Sequence, residues 1–342
     1  MWRTVMFKSW KFNKLACVSG MVIVAVSMTG VNAQAAGVNS SPGTWVSSDT
    51  DLVAPMPEGR EGYCMGFSSA EVGGVEQDRI YVSHGYAGVD TGDLRAYDID
   101  TNTWLTLASS ENIRSEGVGV SHGGMLYCLG GRNTSVLDLV EAYDPSTNSW
   151  TTLPSMNTAR AGLAASVVGN RIYTFGGNTD GFGPCNGPGL HVAEVYDISS
   201  GIWTSITAPP IVVTHAVSVE KGGNIYLFGG CSDGTTAISD TQIYDPVTDT
   251  WSVGAPMPTA RASMAVGVLG NTIYAIAGWD GTTGNLDAVE AYNRNKDTWS
   301  IKTAKPRSVS EVFAASHNGK LYVPGSGAFG ASSAVNEIFS KK

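Results

Sequence analysis

The chain has few charged residues, and positive ones are the scarcer kind. Only 15% of its 342 residues are charged, with 21 Lys and Arg against 30 Asp and Glu, and the formal net charge is −9. No stripe or cluster of Lys and Arg is present that could collect the phosphates of a nucleic acid. The composition therefore argues against a nucleic-acid partner.

Cysteine and histidine are also scarce, with five of each. The sequence contains no C-x-x-C, H-x-H or H-E-x-x-H pair, and no His stands at ligand spacing from a Cys. Asp-Gly pairs begin at Asp180, Asp233 and Asp280, but none follows the spacing of a calcium loop, and such pairs are typical of tight turns. We therefore expect neither a metal ion nor a cofactor.

Long apolar runs are missing except near the N-terminus. Four basic residues, Arg3, Lys8, Lys11 and Lys14, precede an apolar run over 15–31, and VNAQAAG follows at 31–37. A basic head, a short apolar core and small residues before a cleavage point are typical of a secretory signal peptide, which we place at 1–35.

An uncleaved membrane anchor is the rival interpretation of this segment. The run has 17 residues, with Ser and Gly among them, and is short against the roughly 20 apolar residues that a spanning helix needs. Cleavage after Ala35 would change the formal charge from −9 to −13 and leave a short lead at 36–43. We expect an exported protein, periplasmic or extracellular, without membrane insertion of the mature chain.

A repeat of about 50 residues covers the rest of the chain. Its clearest mark is a tryptophan that recurs at intervals of 59, 46, 53, 48 and 48 residues, at Trp45, Trp104, Trp150, Trp203, Trp251 and Trp299. Repeats of this length with Gly-Gly, Tyr-Asp and Trp marks are typical of propeller blades, not of helical solenoids.

Each repeat contains short apolar runs separated by Gly, Asn and Asp, which predicts antiparallel strands joined by tight turns. The second strand recurs as IYVSHG (80–85), LYCLGG (126–131), IYTFGG (172–177), IYLFGG (225–230), IYAIAG (273–278) and LYVPGS (321–326). The third strand recurs as RAYD, EAYD, EVYD, QIYD, EAYN and EIFS. The sequence therefore contains six copies.

These motifs resemble the kelch family, and the resemblance covers nearly all of 45–340. It implies an all-β fold over 44–342: a six-bladed propeller with four antiparallel strands in each blade. The blades would end near Trp104, Trp150, Trp203, Trp251 and Trp299. On this basis the repeated Tyr and Trp side chains are interpreted as packing between blades.

The last repeat supplies only three strands and ends before any tryptophan. The missing strand resembles TWVSSD at 44–49. We therefore predict that this N-terminal strand completes the last blade, formed by 300–342 plus 44–49, and leaves no open sheet edge.

The cysteines of the mature chain favour one disulfide. Cys185 lies in an insertion between the second and third strands of the third blade, and Cys231 follows the Gly pair of the fourth. Loops of adjacent blades emerge on one face, where they can approach to the ~5.5 Å between Cα atoms that a disulfide needs. We predict a Cys185–Cys231 bond and expect Cys64 and Cys128 to be buried free thiols.

Two positions before the second strand repeat in register. Counting back 12 residues gives arginines at Arg114, Arg160 and Arg261, whose repetition indicates a role in the framework. Counting back 10 residues gives Glu116, Gly162, His215, Ser263 and Glu311. Kelch rings that bind acidic peptides carry basic contact residues at this second position, whereas this chain has carboxylates and a histidine there.

We predict one polar pocket at the mouth of the propeller. Its candidate residues are Glu116, Arg132, Asn133, His215, Ser263 and Glu311, with Tyr86 and Trp279 as apolar walls. Such a mixture suits a polyhydroxylated ligand, because carboxylates accept from hydroxyls and aromatic faces stack on sugar rings. The long insertion at 178–191 favours binding. The alternative is that these are ordinary solvated loop residues.

Two functions fit this pocket. The first is a recognition module that binds a protein or carbohydrate ligand. The second is a periplasmic sugar mutarotase or epimerase, because exported kelch rings include sialic acid mutarotases and Glu116, His215 and Glu311 could move protons on a sugar. A structural subunit whose mouth is filled by a partner is a third possibility.

Overall fold

The computed structural model describes residues 42–50, 52–179, 183, 185–282, 284–328 and 331–341. The predicted signal peptide at 1–35, most of the lead at 36–43 and the turn residue Asp180 lie outside these ranges. The described part consists of β-strands and a 3-10 helix at Ser48–Thr50. None of its helices has the length and apolar character of a membrane span.

The strands form six sheets of four antiparallel strands each, which confirms the predicted fold. The first blade contains β2 (Cys64–Val72), β3 (Val75–Ser83), β4 (Leu94–Asp98) and β5 (Thr103–Leu107). The second contains β6 (Val118–His122), β7 (Met125–Leu129), β8 (Val140–Asp144) and β9 (Ser149–Leu153). The third contains β10 (Ala164–Val168), β11 (Arg171–Phe175), β12 (Ala193–Asp197) and β13 (Ile202–Ser205).

The remaining three blades follow the same order. The fourth contains β14 (Val217–Lys221), β15 (Asn224–Phe228), β16 (Thr241–Asp245) and β17 (Thr250–Gly254). The fifth contains β18 (Ala265–Leu269), β19 (Thr272–Ile276), β20 (Val289–Asn293) and β21 (Thr298–Ile301). The sixth contains β22 (Ala315–His317), β23 (Lys320–Ala328), β24 (Ala331–Ser340) and the N-terminal β1 (Thr44–Ser47).

The ring is closed by β1, as the sequence predicts. This strand pairs antiparallel with β24, with Thr44 opposite Ser340 and Ser47 opposite Glu337. The ring of Trp45 packs on Phe339 with centroids 5.1 Å apart, and its Nε1 donates to the carbonyl of Thr303. The two ends of the chain therefore hold one sheet together.

Removal of this closing strand should destabilise the propeller. We expect a chain that lacks residues 1–49 to lose at least about 3 kcal/mol in free energy of unfolding, because truncating a packed tryptophan alone costs roughly that much. Chemical denaturation followed by intrinsic fluorescence measures the loss. A chain that lacks only residues 1–41 keeps β1 and is the control; equal stability of the two truncations would contradict this closure.

Adjacent blades are fastened by the repeated tryptophans. Each Trp indole N–H donates to a backbone carbonyl in the segment before its own blade, with N···O distances of 2.8–3.1 Å. The pairs are Trp45–Thr303, Trp104–Ala54, Trp150–Ala108, Trp203–Pro154, Trp251–Thr207 and Trp299–Ala255. Second-strand tyrosines pack across the gaps between blades, as between Tyr226 and Tyr292. This is the packing role predicted for these residues.

The repeated arginines are framework residues, as predicted. Each is fully buried and pairs with the glutamate that begins the third-strand motif: Arg114 with Glu141, Arg160 with Glu194 and Arg261 with Glu290. Lys305 and Glu337 form the equivalent buried pair in the sixth blade. In the first blade the third-strand motif begins with Arg95, and Glu58 pairs with both this residue, at 2.9 Å, and the buried Arg60.

Candidate functional site

Six equivalent residues, one from each blade, form a ring at the mouth of the central channel. They are Gly62, Glu116, Gly162, His215, Ser263 and Glu311, all with φ between 50° and 59°. From Glu116 onward, each backbone N–H donates to the carbonyl of the ring residue in the preceding blade, at 2.7–2.9 Å. Side chains are rarely found at such φ values, and where they occur they cluster at ligand sites.

The ring surrounds a small cavity of about 40 Å³. Glu116, His215, Ser263 and Glu311 line it, so four of the predicted pocket residues come together. A second cavity of about 90 Å³ lies below the ring, between the innermost strands, and shares Leu163, Met264 and Phe313 with the first. The site therefore combines a few polar side chains at the mouth with a mainly apolar lining.

Glu116 connects the ring to the long insertion. One carboxylate oxygen accepts a hydrogen bond from the backbone N–H of Gly183 at 2.7 Å. The other oxygen lies 3.8 Å from a guanidinium nitrogen of Arg132 and 3.9 Å from Nε2 of His215. Burial raises the pKa of Glu116, while Gly183 and Arg132 act in the opposite direction.

His215 is a neutral imidazole at physiological pH. Burial and the nearby charge of Arg132 lower its pKa to about 4. Its Nδ1 lies 2.9 Å from the hydroxyl of Thr214, which leaves Nε2 facing Glu116. A neutral ring of this kind can donate or accept a hydrogen bond from a ligand, depending on its tautomer.

Glu311 holds its proton at neutral pH. Burial in the cavity and the charges of Glu61 and Glu116 raise its pKa to about 8. Burial also raises the pKa of Glu61, which precedes ring residue Gly62. The mouth therefore contains three interacting carboxyl groups, of which Glu311 is a hydrogen-bond donor.

The register count missed Glu61 and Gly62. The count assumes first and second strands of constant length, and β2 and β3 have nine residues each, whereas β6, β7, β10 and β11 have five. The buried Arg60, which occupies the framework arginine position of its blade, was missed for the same reason. A register taken from the Arg-x-Gly spacing, shared by Arg60 and Arg160, would have found them.

Three buried polar atoms at the ring have no hydrogen-bond partner within the described ranges. They are one carboxylate oxygen of Glu116, Nε2 of His215 and the hydroxyl of Ser263. Buried polar groups are nearly always hydrogen-bonded, and leaving one unpaired costs about 1–3 kcal/mol. Their convergence on one cavity points to a polar ligand or ordered water at the mouth.

The other four predicted pocket residues lie outside the cavity lining. Tyr86, Arg132 and Trp279 occupy equivalent positions and form β-bridges with the residues that precede ring positions, namely Glu61, Ser115 and Ala262. They therefore flank the ring. Asn133 is exposed; its side-chain oxygen accepts from the backbone N–H of Thr134, and its side-chain nitrogen donates to the carbonyl of Ile113, in the segment before β6.

The predicted disulfide is present between Cys185 and Cys231, with Cα atoms 5.2 Å apart. It joins the insertion of the third blade to the fourth and contacts Trp279 of the fifth. Gly183, the donor to Glu116, stands two residues before Cys185. The disulfide therefore anchors the loop segment that covers one side of the ring.

The other two cysteines are buried free thiols, as predicted. Although burial opposes ionisation, hydrogen bonds from Cys128 and His84 lower the pKa of Cys64 to about 5. Asp233 and Asp280 cap their own turns by accepting backbone hydrogen bonds, which is the turn role predicted for these two Asp-Gly pairs.

Comparison with known proteins agrees with this architecture. The KLHDC2/KLHL20/DRC7 Kelch-repeats domain matches residues 119–327, more than half of the chain. The chain belongs to the kelch-repeat family. The solved structure of YjhT superposes with a TM-score of 0.72 at 17% identity, covering 85% of this chain and 97% of the other. At that identity the likeness shows the fold alone.

Curated kelch relatives match over shorter stretches. Kelch-like protein terF of Aspergillus terreus is 33% identical over 75 residues, 21% of this chain and 16% of its own. Kelch-like protein 35 of Mus musculus is 32% identical over 69 residues, 20% of this chain and 12% of its own. This chain therefore spans only a small part of these relatives.

Proposed function

We propose that this kelch propeller is an exported recognition module that binds a small polyhydroxylated ligand, a carbohydrate, at the ring. The observation that carries the proposal is the convergence of unpartnered buried atoms of Glu116, His215 and Ser263 on one cavity. The cavity has a volume of only about 40 Å³, below the ~300–1,000 Å³ of sites that enclose a small molecule, so only an edge of the ligand enters the ring. A carbohydrate supplies several hydroxyls that can both donate and accept.

The chemistry of the ring fits such a ligand. The carboxylate of Glu116 accepts from a hydroxyl, the protonated Glu311 donates to one, and neutral His215 does either. Arg132, beside Glu116, can bind a ligand carboxylate with two parallel hydrogen bonds. The signal peptide predicted at 1–35 supports a location outside the cytoplasm.

Sugar mutarotation is the second candidate, favoured by two carboxyl groups at the mouth, of which Glu311 holds its proton at neutral pH. Glu116 would take the proton of the anomeric hydroxyl while Glu311 protonates the ring oxygen. The bond between the anomeric carbon and the ring oxygen then breaks, a carbonyl forms, and reclosure on the other face returns both protons. No oxidant or cofactor is needed.

Proton NMR of freshly dissolved reducing sugars, sialic acid included, tests both functions. Binding should broaden the sugar signals, and catalysis should speed the exchange of anomers. We expect Glu116→Gln to weaken binding about 10-fold or more, because a hydrogen bond to a charged group contributes roughly 1.5–3 kcal/mol. Glu71→Gln, on the exposed β2–β3 hairpin, is the matched control.

Each outcome separates the candidates. Binding without faster exchange supports recognition alone, and faster exchange that Glu116→Gln abolishes supports the mutarotase. Absence of binding across the panel would refute the carbohydrate proposal and leave a protein ligand at the mouth.

A further inference from the structure

A second cluster of ligating side chains lies inside the first two blades, away from the ring. Cys64 begins β2, His84 follows β3 and Cys128 lies in β7. One ligating atom from each, the two sulfurs and an imidazole nitrogen, lies within 4.8 Å of the others. The cluster therefore bridges two blades at the level of their second strands.

All three side chains are removed from solvent. Cys64 and Cys128 are 0% exposed and His84 is 1% exposed. They lie against an apolar cluster that includes Tyr81, Leu94 and Leu126. The cluster is therefore closed to bulk solvent in the folded protein.

The imidazole of His84 is held with one nitrogen unsatisfied. Its Nδ1 lies 2.9 Å from the hydroxyl of Ser83, whereas Nε2 has no hydrogen-bond partner in the described part of the chain. The residue adopts a φ of 62°, which is uncommon for a side-chain-bearing residue. Nε2 faces the carboxylate of Glu141 at 3.5 Å. A hydrogen bond to one ring nitrogen orients a histidine for metal binding through the other.

The charges around the cluster favour a cation between the sulfurs. Arg114 lies nearby, but it is neutralised by its buried pair with Glu141, whose carboxylate is 3.5 Å from Nε2 of His84. Two thiolates and a neutral imidazole would then balance a dication completely and would leave one negative charge with a monovalent ion.

From this geometry we propose that Cys64, His84 and Cys128 bind a thiophilic metal ion, Zn²⁺ or Cu⁺. The ion would lie in a buried site and link the first blade to the second. Thiolate and imidazole ligands select these ions over Mg²⁺ or Ca²⁺. Bond lengths of about 2.3 Å to sulfur and about 2.0 Å to nitrogen need the three side chains to contract only slightly. The sequence gives no sign of this site, because the ligands are 20 and 44 residues apart.

The test is metal binding by the purified protein, prepared under argon so that the thiols stay reduced. After incubation with Zn²⁺ or a Cu⁺ complex and desalting, we expect one metal ion per chain by elemental analysis. Substitution by Co²⁺ should give near-ultraviolet absorption from a sulfur-to-cobalt transition. Whichever of Zn²⁺ and Cu⁺ is retained in competition identifies the ion.

Substitutions of the two cysteines test whether their side chains bind the metal ion. Cys64→Ser and Cys128→Ser should each weaken binding on the order of 100-fold, since loss of even an outer partner costs about 10- to 100-fold. Cys185→Ala/Cys231→Ala, made in a chain that begins at residue 36 and so lacks Cys17, keeps only the proposed ligand pair of cysteines and should bind normally. Because serine variants can fold poorly, a rise in the melting temperature of the unaltered protein with metal, reversed by a chelator, is measured as well.

Two results would overturn the proposal. One is a chain of residues 36–342 with both Cys64 and Cys128 titratable as thiols that retains no metal and shows no shift in melting temperature. The other is a Cys64–Cys128 disulfide, detected as the loss of both thiols and of two hydrogen masses, in protein isolated without added oxidant.

Discussion

Replacing Glu194 with Leu is expected to lower the free energy of unfolding by about 3–5 kcal/mol, one of the largest effects of any single substitution in this chain. Glu194 accepts from the guanidinium of Arg160 at 2.8 Å, and both side chains are buried. Without the carboxylate, Arg160 remains in the core with an uncompensated charge. Urea denaturation followed by tryptophan fluorescence measures the loss.

Two controls separate the charge from the packing. Arg160→Met/Glu194→Leu removes both charges and should recover most of the stability, because apolar residues of similar volume can replace a buried pair at little cost. Arg171→Ala removes the exposed partner of Asp197 in the same blade and should cost less than about 1 kcal/mol. If the double variant is as unstable as Glu194→Leu, the argument from the unpaired charge is wrong.

The six versions of this buried pair show why the fold could be predicted from the sequence. In each blade the segment that precedes the first strand is held against the third strand. A charge pair makes this contact in five blades, and in the fourth blade the side-chain amide of Gln242 bonds the backbone of Ile211. The tryptophans repeat for a similar reason, because each indole N–H donates to one backbone carbonyl in the segment that precedes its own blade. Residues whose contacts recur in every blade therefore recur at regular intervals in the sequence.

The candidate site could be predicted in part for the same reason. Glu116, His215 and Glu311 occupy one register position, and the propeller brings equivalent positions to one ring. The prediction failed in the first blade, where the longer β2–β3 hairpin shifts the register and hides Glu61.

Contacts that occur in only one blade cannot be predicted from the sequence repeat. The hydrogen bond from Gly183 to Glu116 depends on how the insertion of the third blade folds over the second. The approach of Cys64, His84 and Cys128 depends on the packing of β2 against β7. Neither leaves a spacing in the sequence, so only the three-dimensional structure reveals them.

Glu311→Gln is expected to make the stability of the protein much less dependent on pH. The pKa of Glu311 is raised from 4.5 to about 8 in the folded protein, so the folded state holds a proton that the unfolded state has lost. Its contribution to stability is complete below pH 4.5 and is lost as the pH rises through 8. The loss is at most about 1.4 kcal/mol for each pH unit in this window.

Urea denaturation at several pH values between about 5 and 9 gives this slope directly. The amide of the Glu311→Gln variant has no proton to lose, so this variant should be more stable than the unaltered protein at the alkaline end of the range, with a smaller difference at the acidic end. Glu71→Gln removes an exposed carboxylate and should leave the slope unchanged. Parallel curves for Glu311→Gln and the unaltered protein would show that Glu311 is ionised at neutral pH, and Glu311 would then lose its role as the proton donor of the ring.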